Sequence, residues 1–168
     1  LLVSVTAEGI QVPILAQTPA LTLDGGQGND AVYGVALDSA GKLLGAGSFA
    51  VATSDATGFL VKYGSSWTNT LEMGPVGAGK DDSTDQFLDV AVDSTDHVIG
   101  VGVKSGSWNL DGYHQAVVVR KLSPEGALVW EETYHDFAWN AGRAVAVDAQ
   151  DNLFVVGNVY TSFTINNQ

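Results

Sequence analysis

Acidic side chains are the first candidates for chemistry in this chain. Asp24, Asp30, Asp81, Asp82, Asp85 and Asp89 form a loose set in its first part. Calcium takes six to eight oxygens, several of them from carboxylates and backbone carbonyls. Loops that gather Asp24, Asp30, Asp81, Asp82 and Asp85 would offer such ligands; the alternative is turn capping and solvation. Gly25 to Val32, GGQGNDAV, fits one copy of the calcium nonapeptide G-G-x-G-x-D-x-U. A parallel β-roll needs tandem copies of that motif, so a single copy reads better as a glycine-rich link.

Other constellations are weaker. His97, His114 and His135 have no i,i+2 or i,i+4 partner among themselves, which leaves a histidine zinc site unsupported. Trp108 and Trp139 fall in expected loops, where an aromatic face could stack on a sugar or a peptide; ordinary packing is the alternative. Trp130 falls inside an expected strand and reads as core. Glu131 and Glu132 are adjacent on that strand and point to opposite faces, so they are not a glycosidase pair. The chain has no G-x-S-x-G elbow, and Ala78-Gly79-Lys80-Asp81 lacks the hydroxyl and the preceding pattern of a phosphate loop. There is no cysteine, which excludes a thiolate metal site, a thiol nucleophile and a disulfide framework. No catalytic or cofactor-binding residue is assigned from the sequence.

Composition narrows the partners. Seven Lys plus Arg against 19 Asp plus Glu give a net charge of −12 over 168 residues. Phosphate binding needs a basic footprint, so nucleic acid and anionic membrane surfaces are poor partners. No window approaches the ~18 consecutive apolar residues of a spanning helix. With 45% hydrophobic and only 15% charged residues, this is not a disordered acidic tail.

The elements that position any site come from a repeat. Val35-Ala36-Leu37-Asp38, Val90-Ala91-Val92-Asp93 and Val145-Ala146-Val147-Asp148 follow one another at intervals of 55 residues. Gly47, Gly102 and Gly157 each lie nine residues beyond the Asp. The alternating β-branched runs read as strands, and the Asp opens a turn by accepting backbone N–H groups just downstream. The fourth turn position holds Gly41, Asp96 or Asp151, residue types that tolerate positive φ. A second hairpin follows the first, with strands at Gly58 to Tyr63 and Val117 to Leu122, and a Ser123-Pro124-Glu125-Gly126 turn into Ala127 to Tyr134. The small Ala36, Ala91 and Ala146 would let a neighbouring sheet approach closely. Four short strands per unit, with no helical period, read as propeller blades.

On these residues the chain resembles the bacterial β-propeller repeat family of SBBP type. The resemblance is carried by Ala91-Val92-Asp93, Gly102, Lys121-Leu122, Pro124, Gly126 and Trp130. It extends to Ala36, Asp38, Gly41, Gly47, Phe59 and Lys62, and to Ala146-Val147-Asp148, Asn152 and Gly157. It covers about 30–168, and 1–29 more weakly. Ser65-Ser66-Trp67 departs from the Pro-x-Gly turn of the pattern, and the stretch from Gly74 to Thr84 is unusually long. The resemblance implies secreted or cell-surface bacterial proteins and brings no catalytic residues with it.

The expectation is therefore an all-β propeller segment of about three four-stranded blades. Residues 1–29 would be the second half of a blade plus a link, 30–84 and 85–139 whole blades, and 140–168 a first half. Such a segment is open unless closed by missing blades or by another copy. Half plus two plus half makes three blades, too few to close a ring, and a section of something longer is preferred to two copies closing a six-bladed one. The expected function is an extracellular, cell-surface or periplasmic scaffold for binding other protein chains or missing blades of the same protein, with glycan as a further candidate partner and calcium as a candidate ion. A glycan hydrolase or lyase, and a subunit paired through its strand edges, are the alternatives.

Overall fold

The computed structural model describes residues 30–50, 56–63, 85–105, 115–134 and 139–159, together with the backbone of 4–6, 9–11 and 68–71. In chain order the strands are β1 (Ser4–Thr6), β2 (Gly9–Gln11), β3 (Ala31–Leu37), β4 (Leu43–Ala50), β5 (Ala56–Lys62) and β6 (Thr68–Leu71). Then follow β7 (Gln86–Val92), β8 (Val98–Ser105), β9 (Gln115–Leu122), β10 (Leu128–Tyr134), β11 (Asn140–Val147) and β12 (Leu153–Val159). The protein is all-β. Among the described residues four antiparallel sheets form, ordered β1-β2, β3-β4-β5-β6, β7-β8-β9-β10 and β11-β12, and none closes on itself.

Each of the last three sheets opens with the same hairpin. In its turn one carboxylate oxygen of Asp38, Asp93 or Asp148 accepts the N–H groups of the residues two and four further on, at 2.7–3.0 Å. Gly41, Asp96 and Asp151 take φ of 75°, 64° and 61°. The first strand of each hairpin is bulged, with register shifts between Val32 and Gly34, Phe87 and Asp89, and Gly142 and Ala144. Gly47, Gly102 and Gly157 pair with the residue just before the shift. A Cβ at any of them would fall on the carbonyl oxygen of Ala31, Gln86 or Ala141. Close backbone approach across the bulge, not a turn, is what those glycines serve.

The three sheets stack face to face, and the third one is central. Leu44, Ala46 and Leu60 of the second sheet pack with Phe87, Val90, Val98, Val118 and Leu122 of the third. On its opposite face, Ile99 and Val101 pack with Val145, flanked by Ala91, Val117, Val119, Val147 and Leu153. Ala36 and Ala91 do lie in these seams. Fully burying Phe87 contributes about 1.5–3 kcal/mol. Trp130 departs from its expected place. It sits on the edge strand β10 and is only half-buried, because nothing pairs with β10 on its outer side among the described residues.

Polar ties join the seams. The N–H and hydroxyl of Ser39 donate to the Asp96 carboxylate at 2.8 and 2.7 Å. Those of Ser94 donate to Asp151 at 2.8 and 2.6 Å. Each bidentate clasp spans 57 residues and links one turn to the equivalent turn of the next sheet. A further tie runs from the Val145 N–H to the Asp89 carboxylate, 2.9 Å away. Ser94→Ala removes one of the two clasp bonds at the second seam. It is expected to cost about 1 kcal/mol in urea unfolding, and an unchanged midpoint would show the clasp to be incidental.

Candidate functional site

Backbone register decides which charged residues meet. In the third sheet Gly100, Arg120 and Glu131 lie side by side on β8, β9 and β10. Lys104 is four residues along β8 from Gly100 and so shares its face. The result is a network on the face turned towards the second sheet. Lys104 Nζ donates to Glu131 Oε1 at 2.7 Å, and Arg120 Nε donates to Oε2 at 2.7 Å, with Nη2 on the same oxygen. The Arg120 guanidinium also lies over the Phe87 ring, 5.6 Å from its centroid. Burial raises the Glu131 carboxyl, but the bonds from Lys104 and Arg120 outweigh it and hold the group below its ordinary range. Glu132 points the other way into solvent, as adjacent strand residues must.

Asp85 belongs to the same neighbourhood. Its N–H donates to the Ala56 carbonyl of the second sheet at 3.0 Å. Its Oδ1 accepts the Ser105 N–H at 2.7 Å. Oδ2 is buried and has no hydrogen-bond partner. Desolvation therefore pushes this carboxyl up to about 6, against the Ser105 bond and the nearby Lys104 charge. Two neighbouring carboxyls with affinities driven apart are the pattern of an acid–base pair. Here, however, Asp85 has no accessible surface and Glu131 is held by two cations. The geometry is that of a packed polar seam rather than a site open to substrate.

A second charged group sits at the opposite end of the first strands. Lys62 Nζ lies 2.7 Å from Asp38, and Lys121 Nζ lies 2.7 Å from Asp93. Asp93 also accepts the Thr95 hydroxyl and faces the His97 ring nitrogen at 3.3 Å. Burial raises Asp93, but the Lys121, His97 and Thr95 hydrogen bonds prevail and hold it far below the usual carboxylate range. Asp38 is lowered chiefly by Lys62. These Lys–Asp pairs lock the turn to the third strand of the same sheet.

The carboxylates and tryptophans singled out in the sequence divide cleanly. Asp24, Asp81, Asp82 and Trp108 lie outside the described residues. Asp30 accepts the Ala50 N–H at 2.9 Å, as Asp85 does that of Ser105, so both bind the end of the second strand of their own hairpin. Asn140 holds the equivalent place in the fourth sheet and is likewise buried. Among the described residues no three His, Cys, Asp or Glu side chains gather as a metal site. Trp139 is exposed and forms an isolated parallel bridge with Gln115, which in turn pairs with Ser105. The network around Glu131 was not foreseen, since only the register of β8 against β9 and β10 reveals it. No protein-family model matches the chain, and no curated protein matches it either.

Proposed function

We propose that the chain is part of a β-propeller that works as a binding scaffold rather than as an enzyme, presenting its loops to a partner outside the bacterial cell. The observation that carries this reading is the seam built twice. Successive four-stranded and two-stranded sheets stack face to face, each first strand lying against the preceding sheet, with the same Ser–Asp clasp at both junctions. That is how blades follow one another around a propeller axis. The buried state of Asp85 and the paired state of Glu131 favour a scaffold over a hydrolase or lyase. The location rests on the family resemblance alone. Calcium has no described ligand set to recommend it; the carboxylates that would argue for it are Asp24, Asp81 and Asp82.

In this reading the binding surface lies at the strand-start end, a choice supported by exposed Trp139 beside Gln115. An exposed flat aromatic next to a glutamine suits a carbohydrate face. The test titrates a panel of neutral oligosaccharides while following tryptophan fluorescence and reducing-end release together. A scaffold gives saturable binding with no new reducing ends, and Trp139→Ala weakens that binding at least tenfold, the size of about 1.4 kcal/mol. Reducing ends that vanish in Glu131→Gln would replace the scaffold by a hydrolase.

A further inference from the structure

Two apolar sheet faces have no covering sheet among the described residues, and they are complementary to one another. Leu44 and Ala46 on β4, and Ile99 and Val101 on β8, face the following sheet and are fully buried there. Phe154 and Val156 on β12 hold the same positions 55 residues on, yet are 58% and 62% exposed. At the other end of the stack, Val90 and Val92 on β7 and Val145 and Val147 on β11 face the preceding sheet. Their counterparts Val35 and Leu37 on β3 are 58% and 62% exposed. Adjacent large apolar residues left open in this way mark an interaction surface.

We propose that the Phe154–Val156 face of one copy docks on the Val35–Leu37 face of a second copy of this chain, head to tail. The chemistry of the occupant is set by the two internal seams. Twice, a β4-type strand is covered by a first strand carrying Val-x-Val, and β3 carries the matching Val-x-Leu. The clasp residues point the same way. Ala149 stands where Ser39 and Ser94 donate, and Gly41 stands where Asp96 and Asp151 accept. A seam between copies sets Ala149 against Gly41, so no clasp hydroxyl or carboxylate is left without its counterpart. Both faces lack a clasp group, and they are the faces with no covering sheet among the described residues. The contact is heterologous, so it builds rings or open stacks. This inference rests on positional equivalence within the stack and stands independently of any ligand at Trp139.

Light scattering across a dilution series of the 168-residue chain tests it, with Phe154→Asp and Val35→Asp as variants. Both residues are exposed, so the substitutions leave the fold intact, which circular dichroism checks. The unaltered chain is expected to exceed the 17.5 kDa of one chain, and each variant alone to run as a monomer. Mixing the two variants restores a single intact pair of faces. A species of about 35 kDa, twice one chain, then forms and grows no further. As a second measurement, Ala149→Cys mixed with Gly41→Cys, the two clasp positions the contact brings together, gives a disulfide heterodimer, clean to read because the chain has no other cysteine. Self-association that persists in Val35→Asp would overturn the head-to-tail contact in favour of a symmetric one. A monomer with both faces intact would overturn it altogether and assign these faces to further sheets of a longer chain.

Discussion

Replacing Asp93 by alanine is expected to lower the unfolding free energy by about 3–5 kcal/mol, the cost of removing one partner from a buried, hydrogen-bonded ion pair. The carboxylate accepts two backbone N–H groups and the Thr95 hydroxyl on one oxygen, and takes Lys121 on the other. Alanine strands all of them at once, in a turn where Asp96 already holds a positive φ. Asp93→Asn keeps one acceptor oxygen for the turn and loses only the charge, so its loss is the smaller of the two. Because the folded carboxyl is held well below its unfolded value, this contribution is present above pH ~4, the unfolded range. It is lost as the pH falls through the folded value. Urea unfolding at pH 7 checks the loss. Equal effects of alanine and asparagine would show the hydrogen bonds of the turn to be immaterial.

Asp85 acts in the opposite sense. Its carboxyl is raised to about 6, so the proton stabilises the fold. That contribution is complete below pH ~4 and disappears as the pH rises through about 6. A rise of roughly two units corresponds to about 3 kcal/mol. Asp85→Asn is therefore expected to stabilise the protein by about 3 kcal/mol at pH 8 and to change little near pH 4. The fourth sheet already carries Asn140 at the equivalent buried place, so the amide is compatible with the fold. Urea midpoints from pH 4 to 8 for both proteins decide the matter. Should the substitution destabilise at pH 8, Lys104 and Arg120 would be holding an ionised Asp85 after all.

How far the sequence reaches is clear from these two residues. Asp93 was legible as a turn carboxylate because its donors lie two and four residues away. Local spacing likewise exposed the positive-φ positions and the hairpins β3-β4, β7-β8 and β11-β12. The partner of Asp93, Lys121, lies 28 residues on and is set by the pairing of β8 with β9. Asp85 was read as a candidate ion ligand. Its role as a strand tie needed the Ser105 N–H, 20 residues away. The bulges were hidden for a related reason. The conserved spacing of Gly47, Gly102 and Gly157 within this chain announced a constraint, but only the approach of the facing carbonyl gives its cause. Strand β6, Thr68–Leu71, was not located, since its short polar sequence carries no alternation. Trp130 was misplaced because hydrophobicity alone does not separate a central strand from an edge.

The stacking order also governs how strain travels. The second and fourth sheets both make their principal contacts with the third, through β7 on one side and β11 on the other. Cooperativity in such a stack is handed from neighbour to neighbour rather than shared globally. The third sheet is then the relay. A perturbation at the Asp85 end of its first seam reaches the fourth sheet through β7 itself, by the Asp89–Val145 bond and the packing of β7 on β11, and through β8 and β9, whose opposite faces line the second seam. Loosening at the outer faces, by contrast, stays where it begins.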